Sequence, residues 1–232
     1  MITTQQQLSD LLEQVAKSLD IPDELHADAV RKYEQVGHWI EEHDAASGRR
    51  EPSIYPQGSF RLGTVTRPFS NKEDYDIDLV YERDLRKESV SQEQLKKEAG
   101  EILQGYVTHC QQTHDDVPEL VESRRCWRLE YPQRFHMDVL PAIPDDEGRQ
   151  DWADHAATKI LITDCDLHEW QCSNPIGYAE WFNGRMATRF REMRAAFALE
   201  AKASADDVPE YKIKTPLQRA IAHDFRTVAG AG

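Results

Sequence analysis

The sequence predicts an α/β domain in which amphipathic helices flank a sheet, and three observations support this prediction. Apolar residues recur at helical spacing within the first 45 residues. Residues 46–175 contain short segments rich in β-branched and aromatic residues, separated by turn formers. A further helix is predicted from Asn174 and Pro175, which suit an N-cap and a first helical turn. The chain has 232 residues, enough for one well-buried domain and part of another.

Two helices are predicted ahead of the sheet, separated by Pro22. Apolar residues at helical spacing define the first, over residues 4–19: Leu8, Leu11, Leu12, Val15 and Leu19. Such residues also define the second: Val30, Tyr33, Val36 and Ile40. We therefore assign residues 1–45 to N-terminal helices that pack on the sheet.

Five segments within residues 46–175 predict strands, and one predicts a helix. The strand segments are SIYPQGSF, EDYDIDLVYE, CWRLEY, RFHMDVLPAI and ILITD, and the third and fourth are expected to form a hairpin around Pro132 and Gln133. Ser91 and Gln94 make a capping box for the intervening helix.

The helix after Asn174 carries large apolar residues, and Thr215, Pro216 and Gln218 predict the start of a last one. Only a few residues follow before the chain ends in AGAG. The helix predicted from Thr215 is therefore short.

The charge balance restricts the classes of partner. With 28 basic and 42 acidic residues, the net charge of −14 disfavours a protein that binds long nucleic acid. No apolar run approaches the roughly 20 residues that cross a membrane, and the N-terminus lacks the features of a signal peptide. The four cysteines follow no disulfide framework. We expect a cytoplasmic protein without a membrane partner.

Three aspartates on two predicted strands suggest a metal centre. Side chains alternate along a strand, so Asp76 and Asp78 share one face while Ile77 points to the other. Two carboxylates on one face repel each other unless a cation lies between them, and hard oxygen ligands suit Mg²⁺. Asp138, on a separate strand, would bind one of two metals and help to deprotonate an attacking hydroxyl. We predict two Mg²⁺ ions, which Mn²⁺ could replace.

The turn formed by Gln57, Gly58 and Ser59 is a candidate phosphate site. Glycine lets the backbone approach a ligand closely, and serine adds a hydroxyl to the neighbouring N–H donors. Each motif alone has a plainer explanation, since a Gly-Ser pair is usually a turn and an Asp-x-Asp segment is usually a solvated strand edge. Their order and their placement on the predicted elements favour a combined site.

Several other residues remain open at this stage. His136 shares a face with Asp138 and is either a polar strand residue or a group that tunes the carboxylates. Arg61 and Arg67 follow the turn, where they either neutralise phosphates or lie on the surface. A zinc site at Cys165, His168 and Cys172 would lack a second Cys/His pair.

The segments GSFRLGTVTRP, EDYDIDLV, FHMDVLPA and WQCSNPIGYAEWFNGRM resemble the bacterial cyclic-oligonucleotide synthases of anti-phage signalling systems. These are relatives of cyclic GMP–AMP synthase within the DNA polymerase β-like nucleotidyltransferase superfamily. The resemblance implies a polymerase β-like core with a mixed sheet and flanking helices, placed over residues 46–175. It also implies a helical second lobe, of which residues 176–232 would be a truncated beginning. It further implies nucleoside triphosphates as substrates, a Gly-Ser grip on phosphates at Gly58 and Ser59, and Asp76, Asp78 and Asp138 as the catalytic carboxylates.

The predicted function is therefore the synthesis of a cyclic di- or trinucleotide, with regulatory proteins of the same defence system as further partners. Two alternatives stay open. One is an adenylyltransferase that modifies a protein or a tRNA, although the acidity of the chain counts against tRNA. The other is an inactive remnant that serves as a binding domain.

Overall fold

The computed structural model describes Leu11, Gln14 and residues 21–45, 50–66, 75–131, 135–150 and 156–201. The helices are α1 (Asp23–Ala45), α2 (Gly58–Leu62), α3 (Gln92–Thr113) and α4 (Pro175–Ala201). The strands are β1 (Ser53–Gln57), β2 (Tyr75–Glu82), β3 (Glu119–Glu122), β4 (Trp127–Tyr131), β5 (Phe135–Pro144), β6 (Ile160–Ile162) and β7 (Gln171–Ser173). None of the described helices is long and apolar enough to cross a membrane.

The seven strands form one mixed sheet, which confirms the predicted fold class. The main order is β1-β2-β5-β4-β3, and β6 pairs with both β5 and β7. Only the β2–β5 pair is parallel among the described strands. The two long central strands, β2 and β5, thus run side by side in the same direction. On the edge away from β2, the first half of β5 pairs with β4 and its end pairs with β6.

One face of the central strands makes the main core against α1 and α3. Alternate residues of β2 and β5 are fully buried there: Ile77, Leu79, Tyr81, Phe135, Met137 and Val139. The helices contribute Val36, Ile40, Leu103 and Tyr106 from their apolar faces. This packing removes a large apolar area from water and fixes which side of each strand faces away from the helices.

The opposite face of the sheet is polar at one end and apolar at the other. Asp76 and Asp78 of β2 and His136 and Asp138 of β5 lie at the polar end and are partly exposed. Farther along the same strands, a second buried cluster contains Val80, Leu140, Ala142, Ile160 and Ile162. Along each of the two strands, the polar residues are thus followed on the same face by apolar residues that pack in this second cluster.

Both predicted N-cap residues, Ser91 and Asn174, accept a hydrogen bond at the start of a helix. Ser91 Oγ accepts a hydrogen bond of 3.1 Å from the backbone N–H of Gln94 at the start of α3. The Gln94 side chain donates to Glu98 instead of returning to Ser91, so only half of the capping box forms. Asn174 Oδ1 accepts from Gly177 N at 2.9 Å and caps α4.

The second predicted helix, the helix after Ser91 and the helix after Asn174 are all confirmed. The five predicted strands are also found, whereas β3 and β7 were not predicted. Of the predicted helix over residues 4–19, only Leu11 and Gln14 are described, and both are helical. The helix predicted from Thr215 lies outside the described residues, and the predicted boundaries at residues 45 and 175 remain predictions.

Candidate active site

A row of polar side chains crosses four adjacent strands on the open face of the sheet. In the sheet register, Gln57 of β1 pairs with Asp78 of β2, Asp78 with Asp138 of β5, and Asp138 with Arg128 of β4. Residues that pair directly across strands project to the same face, and adjacent strands lie about 4.8 Å apart. The register therefore brings Asp78 and Asp138 together, as the sequence predicted.

A second row lies two residues earlier along β2 and β5. Asp76 pairs with His136, and His136 pairs with Glu130 of β4. His136 Nε2 also contacts Asp76 Oδ1 directly. His136 is therefore a partner of one of the predicted site carboxylates and not merely a polar residue of the strand.

The predicted turn begins where β1 ends, beside Asp78. Gly58 has a φ of 60°, in the left-handed region that favours glycine. It starts the single-turn helix α2, in which Ser59 is buried and Ser59 O accepts from Thr64 N at 2.8 Å. The structure thus places the Gln57–Ser59 turn at the edge of the carboxylate row, next to Asp78.

Asp138 is held by Arg128 and affects the pKa of Cys126, and the sequence analysis singled out neither residue. Arg128 donates to both oxygens of Asp138, from Nε to Oδ1 at 2.7 Å and from Nη2 to Oδ2 at 2.8 Å. Hydrogen bonding to Asp138 raises the pKa of Arg128 above its usual range. Burial, together with the charge and hydrogen bond of Asp138, raises the pKa of the Cys126 thiol to about 12, so this thiol is protonated at neutral pH.

The three aspartates match Mg²⁺ in their donor chemistry, because all supply hard carboxylate oxygens on one face of two neighbouring strands. In the present conformation, however, no group of three His, Cys, Asp or Glu side chains within the described residues is arranged to hold a metal ion. Asp138 is instead bound by Arg128, and Asp76 contacts His136.

A cavity of about 280 Å³ adjoins the turn. Its lining comes from three places in the chain, the turn and α2, the end of β7, and the start of α4: Gln57, Gly58, Arg61, Leu62, Ser173, Asn174, Pro175, Tyr178 and Ala179. Arg61 lies over the ring of Tyr55, with 5.8 Å between Cζ and the ring centroid. Arg67 lies outside the described residues.

The central part of the chain matches a known family. Residues 52–141 match the family model described as the nucleotidyltransferase domain of "Cyclic GMP-AMP synthase DncV-like" proteins. This range contains the turn and all three aspartates. Residues 52–141 are therefore similar to a DncV-like nucleotidyltransferase domain.

Two curated relatives of this chain carry related names. A c-di-GMP synthase of Roseivirga ehrenbergii is 28% identical, over 93% of this chain and 52% of the relative. The cyclic dinucleotide synthase CdnG of Bradyrhizobium diazoefficiens is also 28% identical, over 96% of this chain and 51% of the relative. The chain therefore spans about half the length of these relatives.

Solved structures agree with the sheet and helices described above. The structure of Bradyrhizobium diazoefficiens CdnG in complex with GTP has a TM-score of 0.59 at 25% identity and covers 77% of this chain and 46% of that chain. The GTP-bound form of Vibrio cholerae DncV has a TM-score of 0.53 at 16% identity, covering 75% and 58%, and supports the fold alone.

The cysteines considered for zinc have separate partners in the structure. Cys165 Sγ lies 2.9 Å from Lys96 Nζ, whereas Cys172 Sγ lies 3.1 Å from Asp145 Oδ2. Arg128 and Cys126 are the site residues that sequence reasoning missed. A partial signal existed for Arg128, because the predicted hairpin pairs its strand antiparallel with the strand of Asp138, and the observed register places the two residues opposite each other.

Proposed function

We propose that this chain carries the catalytic domain of a template-independent, Mg²⁺-dependent nucleotidyltransferase that makes a cyclic di- or trinucleotide from nucleoside triphosphates in bacterial anti-phage defence. The observation that carries the proposal is the parallel register of Asp78 with Asp138, with Asp76 on the same face and the glycine turn beside them. The names of the two curated relatives support a cyclic product.

Each polar group of the site has a defined task in this proposal. Asp76 and Asp78 would hold both metal ions, and Asp138 would hold the one beside the attacking ribose hydroxyl. When bound, Mg²⁺ supplies neutralisation of the triphosphate charge and makes the hydroxyl more acidic. The backbone of Gly58, with Gln57 and Ser59, would bind the outer phosphates, which leave as pyrophosphate.

Positioning would come from the rigidity of the sheet. Because β2 and β5 are buried on their other face by Ile77, Leu79, Met137 and Val139, the two strands cannot shift relative to each other without disrupting the core. The carboxylates are thus fixed relative to one another, and this favours in-line attack on the α-phosphate. The cavity beside Gly58 lies where part of a nucleotide bound to the turn would extend.

The test is a binding and turnover assay on the purified chain. The protein is incubated with all four nucleoside triphosphates and Mg²⁺, products are identified by mass spectrometry, and Mg²⁺-dependent triphosphate binding is measured by calorimetry. We expect cyclic product without any added protein or tRNA, and the loss of both product and Mg²⁺-dependent binding in the Asp76→Asn, Asp78→Asn double variant.

A matched control is Asp84→Asn, which neutralises a carboxylate just beyond the far end of β2, where Asp84 pairs with Arg50. This variant should behave as the wild type. Turnover retained in the double variant, or triphosphate binding that ignores both Mg²⁺ and the substitutions, would exclude the proposed site. Labelling of a protein or tRNA in place of a free cyclic product would identify the chain as an adenylyltransferase.

A further inference from the structure

The ion pair between Arg128 and Asp138 occupies the carboxylate that the proposed reaction requires. Two parallel hydrogen bonds join the guanidinium to Oδ1 and Oδ2, in the bidentate geometry that makes such pairs strong. Both carboxylate oxygens of Asp138 therefore accept hydrogen bonds from Arg128.

A metal ion and this guanidinium compete for Asp138. Both are cations that bind the same two oxygens, and a carboxylate held by a guanidinium donates less charge to a second cation. The two cations also repel each other, and this repulsion is stronger at a site partly shielded from water than it is in bulk water. Binding of a metal ion to Asp138 is therefore favoured when the bidentate pair opens.

The surroundings of Arg128 allow it to leave. Its side chain is 31% exposed and that of Asp138 is 18% exposed, so water reaches the pair. By contrast, the side chain of Arg83 is 3% exposed and lies between Asp44 and Glu98. A partly hydrated guanidinium can exchange one anionic partner for another at small cost, whereas a buried one cannot.

We propose that Arg128 is a positioning residue that holds Asp138 in the metal-free domain and is displaced by the metal ion, whereupon its guanidinium turns to a phosphate group of the bound nucleotide. The proposal rests on the proposed function, because it takes Asp138 to be a metal ligand. Arg128 remains on the open face because the β4–β5 register fixes its backbone. A planar guanidinium suits phosphate as well as carboxylate.

The direct test is the affinity for Mn²⁺ alone, measured by electron paramagnetic resonance of the free ion. Arg128→Gln should bind Mn²⁺ about tenfold more tightly than the wild type, the scale of one charge-assisted hydrogen bond. Arg128→Lys keeps the charge but loses the bidentate grip, and it should bind about threefold more tightly. The charge-matched control is Arg125→Gln, which removes an arginine that binds Asp164 and should leave the affinity within about twofold.

A double-mutant cycle separates the pair from simple charge removal. In an Asp138→Asn background, Arg128→Gln should no longer tighten Mn²⁺ binding if Arg128 acts through Asp138. The same tightening in both backgrounds, with wild-type affinity in Arg128→Lys, would show a through-space charge effect and overturn the proposal. Unchanged or weaker binding in Arg128→Gln would overturn it as well.

The outcome for the metal site itself is read separately. Equal Mn²⁺ affinity in the wild type and in Asp78→Asn would contradict the metal assignment of the proposed function, whatever Arg128 does. Thermal melting of each variant with and without Mn²⁺ gives a second readout, and the Mn²⁺-induced rise in Tm should be larger in Arg128→Gln than in the wild type. If Arg128→Gln does not fold, Arg128→Lys decides the question on the same measurements.

Discussion

Arg83 and Arg128 each bind carboxylates at the same sheet, one in a closed setting and the other in an open one. Arg83 follows β2 and donates to Asp44 at 2.9 Å and to Glu98 of α3, and its side chain is 3% exposed. Arg128 lies on β4 and grips Asp138 at the partly exposed end of the carboxylate row. The two pairs have similar chemistry, but they differ in access to water.

This difference in exposure assigns Arg83 a structural role, whereas Arg128 can exchange Asp138 for another anionic partner. Arg83 joins α1, the end of β2 and α3 through its hydrogen bonds to Asp44 and Glu98. Because its guanidinium is buried, water cannot replace these carboxylates as partners. Arg128 joins two strands that are already hydrogen-bonded to each other, so its ion pair adds little to the fold. The Arg128–Asp138 pair can therefore open without disrupting the fold, whereas the Arg83 pairs stabilise the packing of the helices on the sheet.

The largest expected effect is on stability. Arg83→Ala leaves the Asp44 carboxylate buried without its guanidinium and should lower the free energy of unfolding by about 3–5 kcal/mol. Arg128→Ala removes a partly exposed pair and should cost about 0–1 kcal/mol. Urea unfolding at pH 7 measures both, and equal losses in the two variants would refute the distinction between the two arginines.

The same comparison has a pH dependence. Burial raises the pKa of Glu98, but hydrogen bonds from Arg83 and Gln94 outweigh it and hold that pKa below its usual range. A lowered folded-state pKa contributes stability above the unfolded-state value, and this contribution is lost as the pH falls through the folded-state pKa. The stability gap between the wild type and Arg83→Ala should therefore narrow in acid.

A smaller effect is expected from two helical glycines, one in the packed region and one on α4. A Cβ at Gly100 of α3 would lie 2.4 Å from Cζ2 of Trp127, whose indole is fixed by a 2.8 Å hydrogen bond from Nε1 to Lys96 O. Gly100→Ala should cost about 1–3 kcal/mol by overpacking. A Cβ at Gly184 meets no described atom within 4 Å, so Gly184→Ala should stabilise α4 by about 0.5–1 kcal/mol.

Thermal denaturation distinguishes these variants, since Gly100→Ala should lower Tm and Gly184→Ala should raise it. A neutral Gly100→Ala would mean that the Trp127 ring can move aside, and the packing between α3 and β4 would then be looser than the structure indicates. This result would weaken the claim that the sheet is held rigidly beneath the carboxylates.

The sequence predicted what depends on local pattern. Alternation along β2 placed Asp76 and Asp78 on one face, and the residue types at Ser91 and Asn174 marked two helix starts that the structure confirms. These predictions succeed because strand alternation and helix capping are decided within a few residues of chain.

What the sequence did not predict depends on distant partners. The strands β3 and β7 have four and three residues and no clear alternation, so only pairing with a neighbour defines them. Arg83 and Asp44 are 39 residues apart, and nothing local shows that they meet in the interior. The Arg128–Asp138 pair depends on the hairpin register, which the pattern of either strand alone does not specify.

The central claim is that Asp76, Asp78 and Asp138 form one metal site on the open face of the sheet. Anomalous diffraction from crystals soaked with Mn²⁺ and a non-hydrolysable nucleoside triphosphate tests it most directly. We predict anomalous peaks about 2.0–2.2 Å from oxygens of all three aspartates, with the Arg128 guanidinium moved off Asp138. Mn²⁺ bound elsewhere would contradict the account. Bound nucleotide would also contradict it if Asp138 held no metal ion and kept both hydrogen bonds from Arg128.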